Sequence, residues 1–185
     1  MKSKFFPPSN LSLILYASAI MILVVLLDLI GVPLNAFGII PQNELHLIGI
    51  FTSPFIHNGW SHLSGNLIGL AISGYLMSKQ ACFKRATLGI AVSTGLCVWL
   101  FAGDGNHIGA SGIIMGYYGY LIGMALFQRN LIGFVYLAAL IALTYYANIR
   151  FFATLFDFSE QTSSSGHLFG FASGLGFSYL LKNKN

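Results

Sequence analysis

The chain is 185 residues long, room for one domain and hardly two. Only 8% of its residues are charged and 56% are hydrophobic, with a mean hydropathy of +0.75, whereas an ordinary soluble domain carries about 25% charge; a water-soluble core of this size cannot hide so much apolar surface, and an all-α membrane protein is expected. The net charge of +4 does not point to nucleic acid, because no basic stripe is interleaved with aromatics, and two cysteines, Cys82 and Cys97, are too few for a disulfide framework and are expected to be free.

In chain order, Lys2, Lys4 and Pro7-Pro8 precede an apolar run over residues 11–30, interrupted only by Asp28. The run is long and no small-residue cleavage site follows it, so it reads as a retained first span and not a signal peptide. Crossing the hydrocarbon takes about 20 helical residues, with about 17 tolerated. Residues 31–60 contain Pro33, Pro41 and Pro54 yet are rich in Leu, Ile and Phe, the composition of a loop lying in the membrane interface. Residues 62–77 form a second span, polar at its start. Residues 86–102, 108–127 and 131–147 are the third to fifth. Residues 148–166 pass from aromatic to Ser/Thr-rich, either a lid or an ordinary interfacial connector. Residues 167–181 are the sixth span. One domain with six transmembrane helices follows, without internal repeats.

Orientation comes from the basic residues. With a cytoplasmic N-terminus, Lys2, Lys4, Lys79, Lys84, Arg85, Arg129, Lys182 and Lys184 fall inside and only Arg150 outside. Glu44, Asp104, Asp157 and Glu160 all fall outside. The basic balance is therefore a topology signal, and both termini are expected to be cytoplasmic.

Polar groups are expensive in a bilayer, so each one asks for a reason. His62 and Asn66 open the second span, Ser111 the fourth and His167 the sixth. Even-numbered spans all run from outside to inside, which puts these four residues at a similar depth near the outer face. A serine hydroxyl needs a base to become nucleophilic, and histidine titrates near working pH. Small residues for close helix approach lie beside them: Gly109 and Gly112 near Ser111, Gly170 and Gly174 after His167. An oxyanion formed on amide attack needs donors; His62 and Asn66 share one helical face, and the Ser111 N–H is free at a helix N-terminus. No carboxylate is placed to complete a triad, Asp28 and Asp104 being the nearest, so a Ser111–His167 dyad is expected.

In combination, three stretches resemble the rhomboid intramembrane serine proteases of the compact six-helix type. They are Thr52-Ser53-Pro54-Phe55-Ile56-His57 leading to Trp60-Ser61-His62-Leu63 and Asn66, then His107-Ile108-Gly109-Ala110-Ser111-Gly112, then His167-Leu168-Phe169-Gly170. The resemblance runs from the first span to Leu181. It implies a rhomboid-like fold with a membrane-embedded first loop, Ser111 as nucleophile and His167 as base. It also implies oxyanion stabilisation by His62 and Asn66, and a lateral gate and cap built from the fifth span and the loop after it. Four positions depart from the family pattern: Ile48-Gly49 stands where many members carry Trp-Arg, Met115 where many carry Tyr, and Gly166 where Ala is common.

Other classes fit less well. His46, His57, His62, His107 and His167 offer nitrogens, but no His-Glu-x-x-His is present and no carboxylate stands near, so no metal and no cofactor is expected. Asp104 lies in a loop, which argues against an aspartyl intramembrane protease, and Ile113 stands where the soluble hydrolase elbow needs glycine. Spans three to six lack the ionisable residues of a transporter. The alternative that remains is a catalytically inactive rhomboid-like protein that binds transmembrane helices. The expectation is a multi-pass protein of a bacterial inner membrane that cleaves transmembrane segments near the outer face, its partners being those substrates and the lipid bilayer, with no nucleic acid.

Overall fold

The structure, a computed structural model, describes residues 9–129, 131–148 and 164–182. Among the described residues the architecture is helical, its one piece of sheet-like pairing an isolated antiparallel bridge between Ile39 and His107. Most of the 148–166 connector lies outside the described residues.

Helix α1 (Asn10–Leu29) starts where the Ser9 side chain accepts from the Ser12 N–H at 3.1 Å, the usual N-cap bond to an orphan donor. It buries Ile14, Met21 and Val25 and leaves most of its other side chains exposed, the pattern of a helix wetted by lipid. Among the described residues it is the one helix of 18 or more residues apolar enough to cross a membrane by length and composition. Further helices are α2 (Gly49–Thr52), α3 (Gly59–Gly69), α4 (Tyr75–Ser78), α5 (Phe83–Phe101), α6 (Ser111–Gly123), α7 (Leu131–Tyr146) and α8 (Ser164–Leu180). A π-helical turn at Leu70–Gly74 joins α3 to α4, and another at Met124–Gln128 extends α6. The sequence put the fourth apolar stretch from residue 108, whereas α6 begins at Ser111. Gly109, at φ +108°, breaks the chain direction just before it, a conformation that favours glycine.

The first loop is tied down by backbone pairing. The Ile39 N–H reaches the His107 carbonyl at 3.0 Å and the His107 N–H returns to Ile39 at 2.8 Å. The Gln42 N–H reaches the Trp99 carbonyl at 2.9 Å, and the Trp99 indole donates to the Asn43 carbonyl at 3.0 Å. Gly49 sits against the Gly38 carbonyl, which a Cβ there would approach to 2.6 Å. That contact leaves no room for a larger residue at position 49. Leu45, Ile48 and Phe51 on this loop are exposed. Both cysteines are free, and Cys82 is buried with its sulfur against the Tyr120 hydroxyl.

Helix α6 is the most enclosed element, burying Tyr117, Tyr118, Tyr120 and Leu121. It packs above all on α8, through glycines. The Gly112 carbonyl occupies the place of a Cβ on Gly170, and the Gly116 carbonyl that of a Cβ on Gly174. The two backbones are in direct contact, as small residues permit. Helix α7 is held more lightly: it buries only Gly133, Leu140 and Thr144, with Thr144 3.1 Å from the Tyr118 hydroxyl.

Candidate active site

Ser111 is the first residue of α6 and is half-buried; His167 lies in the first turn of α8 and is 3% exposed. The α6–α8 contact brings their neighbours together, since a Cβ on Gly112 would lie 3.3 Å from the Gly166 carbonyl oxygen. The two helices thus open side by side, with Ser111 one residue before this contact and His167 one residue after it. The Ser111 hydroxyl makes no hydrogen bond to a described residue.

His62, on α3, comes in from the other side. A Cβ on Gly109 would stand 2.7 Å from His62 Nε2 and 3.9 Å from Ser111 Oγ. The imidazole and the hydroxyl therefore flank a glycine whose positive φ and lack of a side chain are both required. Asn66, one turn further along α3, is buried. Its amide donates to the His62 carbonyl at 2.9 Å, while its Oδ1 has no partner among the described residues.

Beside Ser111 is a cavity of about 40 Å3 lined by Thr94, His107, Gly109, Gly112 and Gly166, among others. A water needs only about 10–15 Å3 of such space together with polar partners, and the buried Thr94 Oγ1 is a polar atom without a partner there. Thr94 escaped the sequence reading, because a threonine within an apolar span carries no signal of which face it occupies.

His57 was legible only as part of a family stretch and as one of five loose nitrogens. It is 1% exposed. Its Nε2 accepts from the Ala110 N–H at 3.4 Å, so Nδ1 carries the proton and donates to the Phe55 carbonyl at 3.3 Å. Its ring meets that of His62 edge-on, with centroids 4.9 Å apart. It thereby links the first loop to the residue before Ser111. The Gly109 N–H, bonded to the Ser53 carbonyl at 2.9 Å, makes a second such link.

Burial, and secondarily the charge of nearby His62, lower the His57 pKa from 6.5 to about 4, partly offset by the Phe55 hydrogen bond. The unfolded chain takes up this proton near its ordinary pKa, while the folded chain resists until about 4. Stability from this group is whole above about pH 6.5 and is lost as pH falls toward 4. The thermal unfolding midpoint in detergent is thus expected to drop over that window. His57→Asn should unfold at a lower temperature at pH 7.5 but with a shallower pH slope, and equal slopes in the two proteins would refute the assignment.

Among the described residues no three His, Cys, Asp or Glu side chains gather as a metal site. The rhomboid domain family model matches residues 44–184. Uncharacterized proteins of Mycobacterium tuberculosis and Mycobacterium bovis are each 35% identical over 173 residues, 88% of this chain and 71% of theirs. An uncharacterized protein of Mycobacterium leprae is 30% identical over 143 residues, 73% of this chain and 56% of its own.

Proposed function

The chain belongs to the rhomboid family, hence to a family of integral membrane proteins, and from that premise we propose that it is an intramembrane serine endopeptidase with Ser111 as nucleophile and His167 as base. The observation that carries this reading is the glycine contact between α6 and α8, which sets the helix ends bearing Ser111 and His167 next to each other, with His62 facing Ser111 across Gly109.

In this mechanism the Ser111 hydroxyl attacks a substrate carbonyl and His167 takes its proton. The Ser111–His167 hydrogen bond forms as substrate enters, since catalytic hydrogen bonds are often loose before the Michaelis complex tightens them. The resulting oxyanion accepts from the unpaired N–H groups opening α6, from His62, and from the second amide hydrogen of Asn66, the first being held by the His62 carbonyl. His167 returns its proton to the leaving amine. A water from the small cavity beside Ser111 then hydrolyses the acyl-enzyme.

The substrate is the transmembrane segment of another membrane protein. It enters beside α7, the lightly packed helix, and must open its own backbone hydrogen bonds, so segments with Gly or Ser open more cheaply. Six helices span a bacterial inner membrane, both termini are cytoplasmic, and the site lies toward the outer face with the first loop in the membrane interface. The distribution of basic and acidic residues and the exposed apolar side chains of α1, α7 and the first loop support this placement.

The test is covalent labelling of the detergent-purified chain with a fluorophosphonate. The wild type should label, Ser111→Ala should not, and His167→Ala should label far more slowly. Equal labelling of all three, or of none, would leave only a helix-binding role.

A further inference from the structure

A second cavity is larger than the one beside Ser111. It is an apolar groove of about 480 Å3 on the other side of the first loop, between α1 and α5. Helix α1 packs on α3 and α4, while α5 packs on α6 and α8, and the groove is the gap this arrangement leaves. Leu13, Ala17 and Met21 form one stripe of α1, and Phe83, Thr87 and Ala91 form the facing stripe of α5. Each stripe runs over nine residues, eight steps of the helix or about 12 Å. Phe51 and Phe55 of the first loop close the upper end, and Tyr117 of α6 lies in the floor, its hydroxyl 3.0 Å from that of Thr87. Apart from Lys84 the rest of the lining is apolar, and Leu88 and Phe51 on the rim are exposed.

The lower end carries charge. Lys84, in the first turn of α5, lines the groove and is exposed, with no ion pair or hydrogen bond to a described residue. Arg85 follows it. Lys79 is differently engaged, its ammonium 4.5 Å over the Tyr75 ring. The described acids all lie toward the other end. Asp28 is at the far end of α1, whose N-terminal Asn10 is tied to the Ser78 carbonyl at 3.0 Å beside the basic turn. Asp104 follows the far end of α5, and Glu44 sits in the first loop, which is bonded to Trp99 near that same end.

We propose that this groove is a binding site for an anionic phospholipid, one acyl chain lying between α1 and α5 and the phosphate resting on Lys84. The shape suits a chain that is narrow, apolar and anchored at one end. A chain held there exchanges loose contact with lipid tails or detergent for van der Waals contact with a shaped apolar wall, and a lysine near the surface adds a preference for negative headgroups. The groove shares Ile50, Pro54, Ala91 and Ile113 with the cavity beside Ser111. A bound acyl chain therefore braces the wall of the site and the loop that His57 anchors.

The experiment is native mass spectrometry of the full chain, stripped of lipid in detergent and titrated with dioleoyl phosphatidylglycerol or dioleoyl phosphatidylcholine. The wild type should bind phosphatidylglycerol about fivefold more tightly, the worth of one surface cation. Lys84→Gln, at an exposed position, should lose that preference. Ala17→Trp, which fills the groove, should weaken binding of both lipids by about tenfold, about 1.4 kcal/mol. An unchanged preference in Lys84→Gln overturns the proposal, as does unchanged binding in Ala17→Trp. A dimer that Ala17→Trp disperses and lipid does not displace would overturn it in favour of a second copy in the groove. None of these readouts involves proteolysis, so the result is independent of the role of Ser111.

Discussion

Gly170→Ala is expected to destabilise the protein by about 3 kcal/mol, at the upper end of what overpacking usually costs, although it adds a single methyl group. The methyl would occupy the position of the Gly112 carbonyl oxygen, with the Gly112 Cα itself only 3.1 Å away. Backbone atoms of a packed helix cannot rotate aside as a side chain can, so α6 and α8 must separate. Gly176→Ala, on the same helix, is the matched control. A Cβ there meets nothing within 4 Å, and alanine is the better helix former by about 1 kcal/mol, so this variant should be neutral or slightly stabilised. Thermal unfolding of the two variants in one detergent decides the matter. If they unfold at the same temperature, the backbone contact between α6 and α8 is not what holds the bundle. Gly170→Ala should also lose activity, because the same separation parts Ser111 from His167.

Cleavage of a model transmembrane substrate in liposomes should fall to background in both Ser111→Ala and His167→Ala, a loss on the order of 10^6-fold for either member of such a pair. The double variant should be no worse than Ser111→Ala, because a nucleophile and its base act as one unit and their losses do not add. His62→Ala and Asn66→Ala should each cost about 10^2-fold, the usual range for one oxyanion donor. They should leave fluorophosphonate labelling less affected than turnover on a peptide bond. Retained cleavage in Ser111→Ala would sink the assignment, as would a double variant much worse than either single one.

Much of this was legible in the sequence because a bilayer enforces simple rules. Every backbone polar group must be paired within its own helix, so apolar stretches separated by turns and basic residues announce helices before any contact is known. The polar residues His62, Asn66, Ser111 and His167 stood out for the same reason, being costly where they are. The helix starts were less legible. That α6 waits until Ser111 depends on Gly109 holding φ +108° between the His62 imidazole and the serine, and no local propensity encodes that squeeze.

Sequence alone determined the helical class, the polar residues that ask for a chemical reason, and the family, since composition and order along the chain suffice for these. Tertiary structure alone decided which residues meet. It put the Gly112 carbonyl on Gly170, tied buried His57 to the Ala110 N–H, set Thr94 in the wall of the small cavity, and opened the groove between α1 and α5. Those juxtapositions join positions tens of residues apart, and their geometry follows from how backbones and side chains share space, which linear order does not specify.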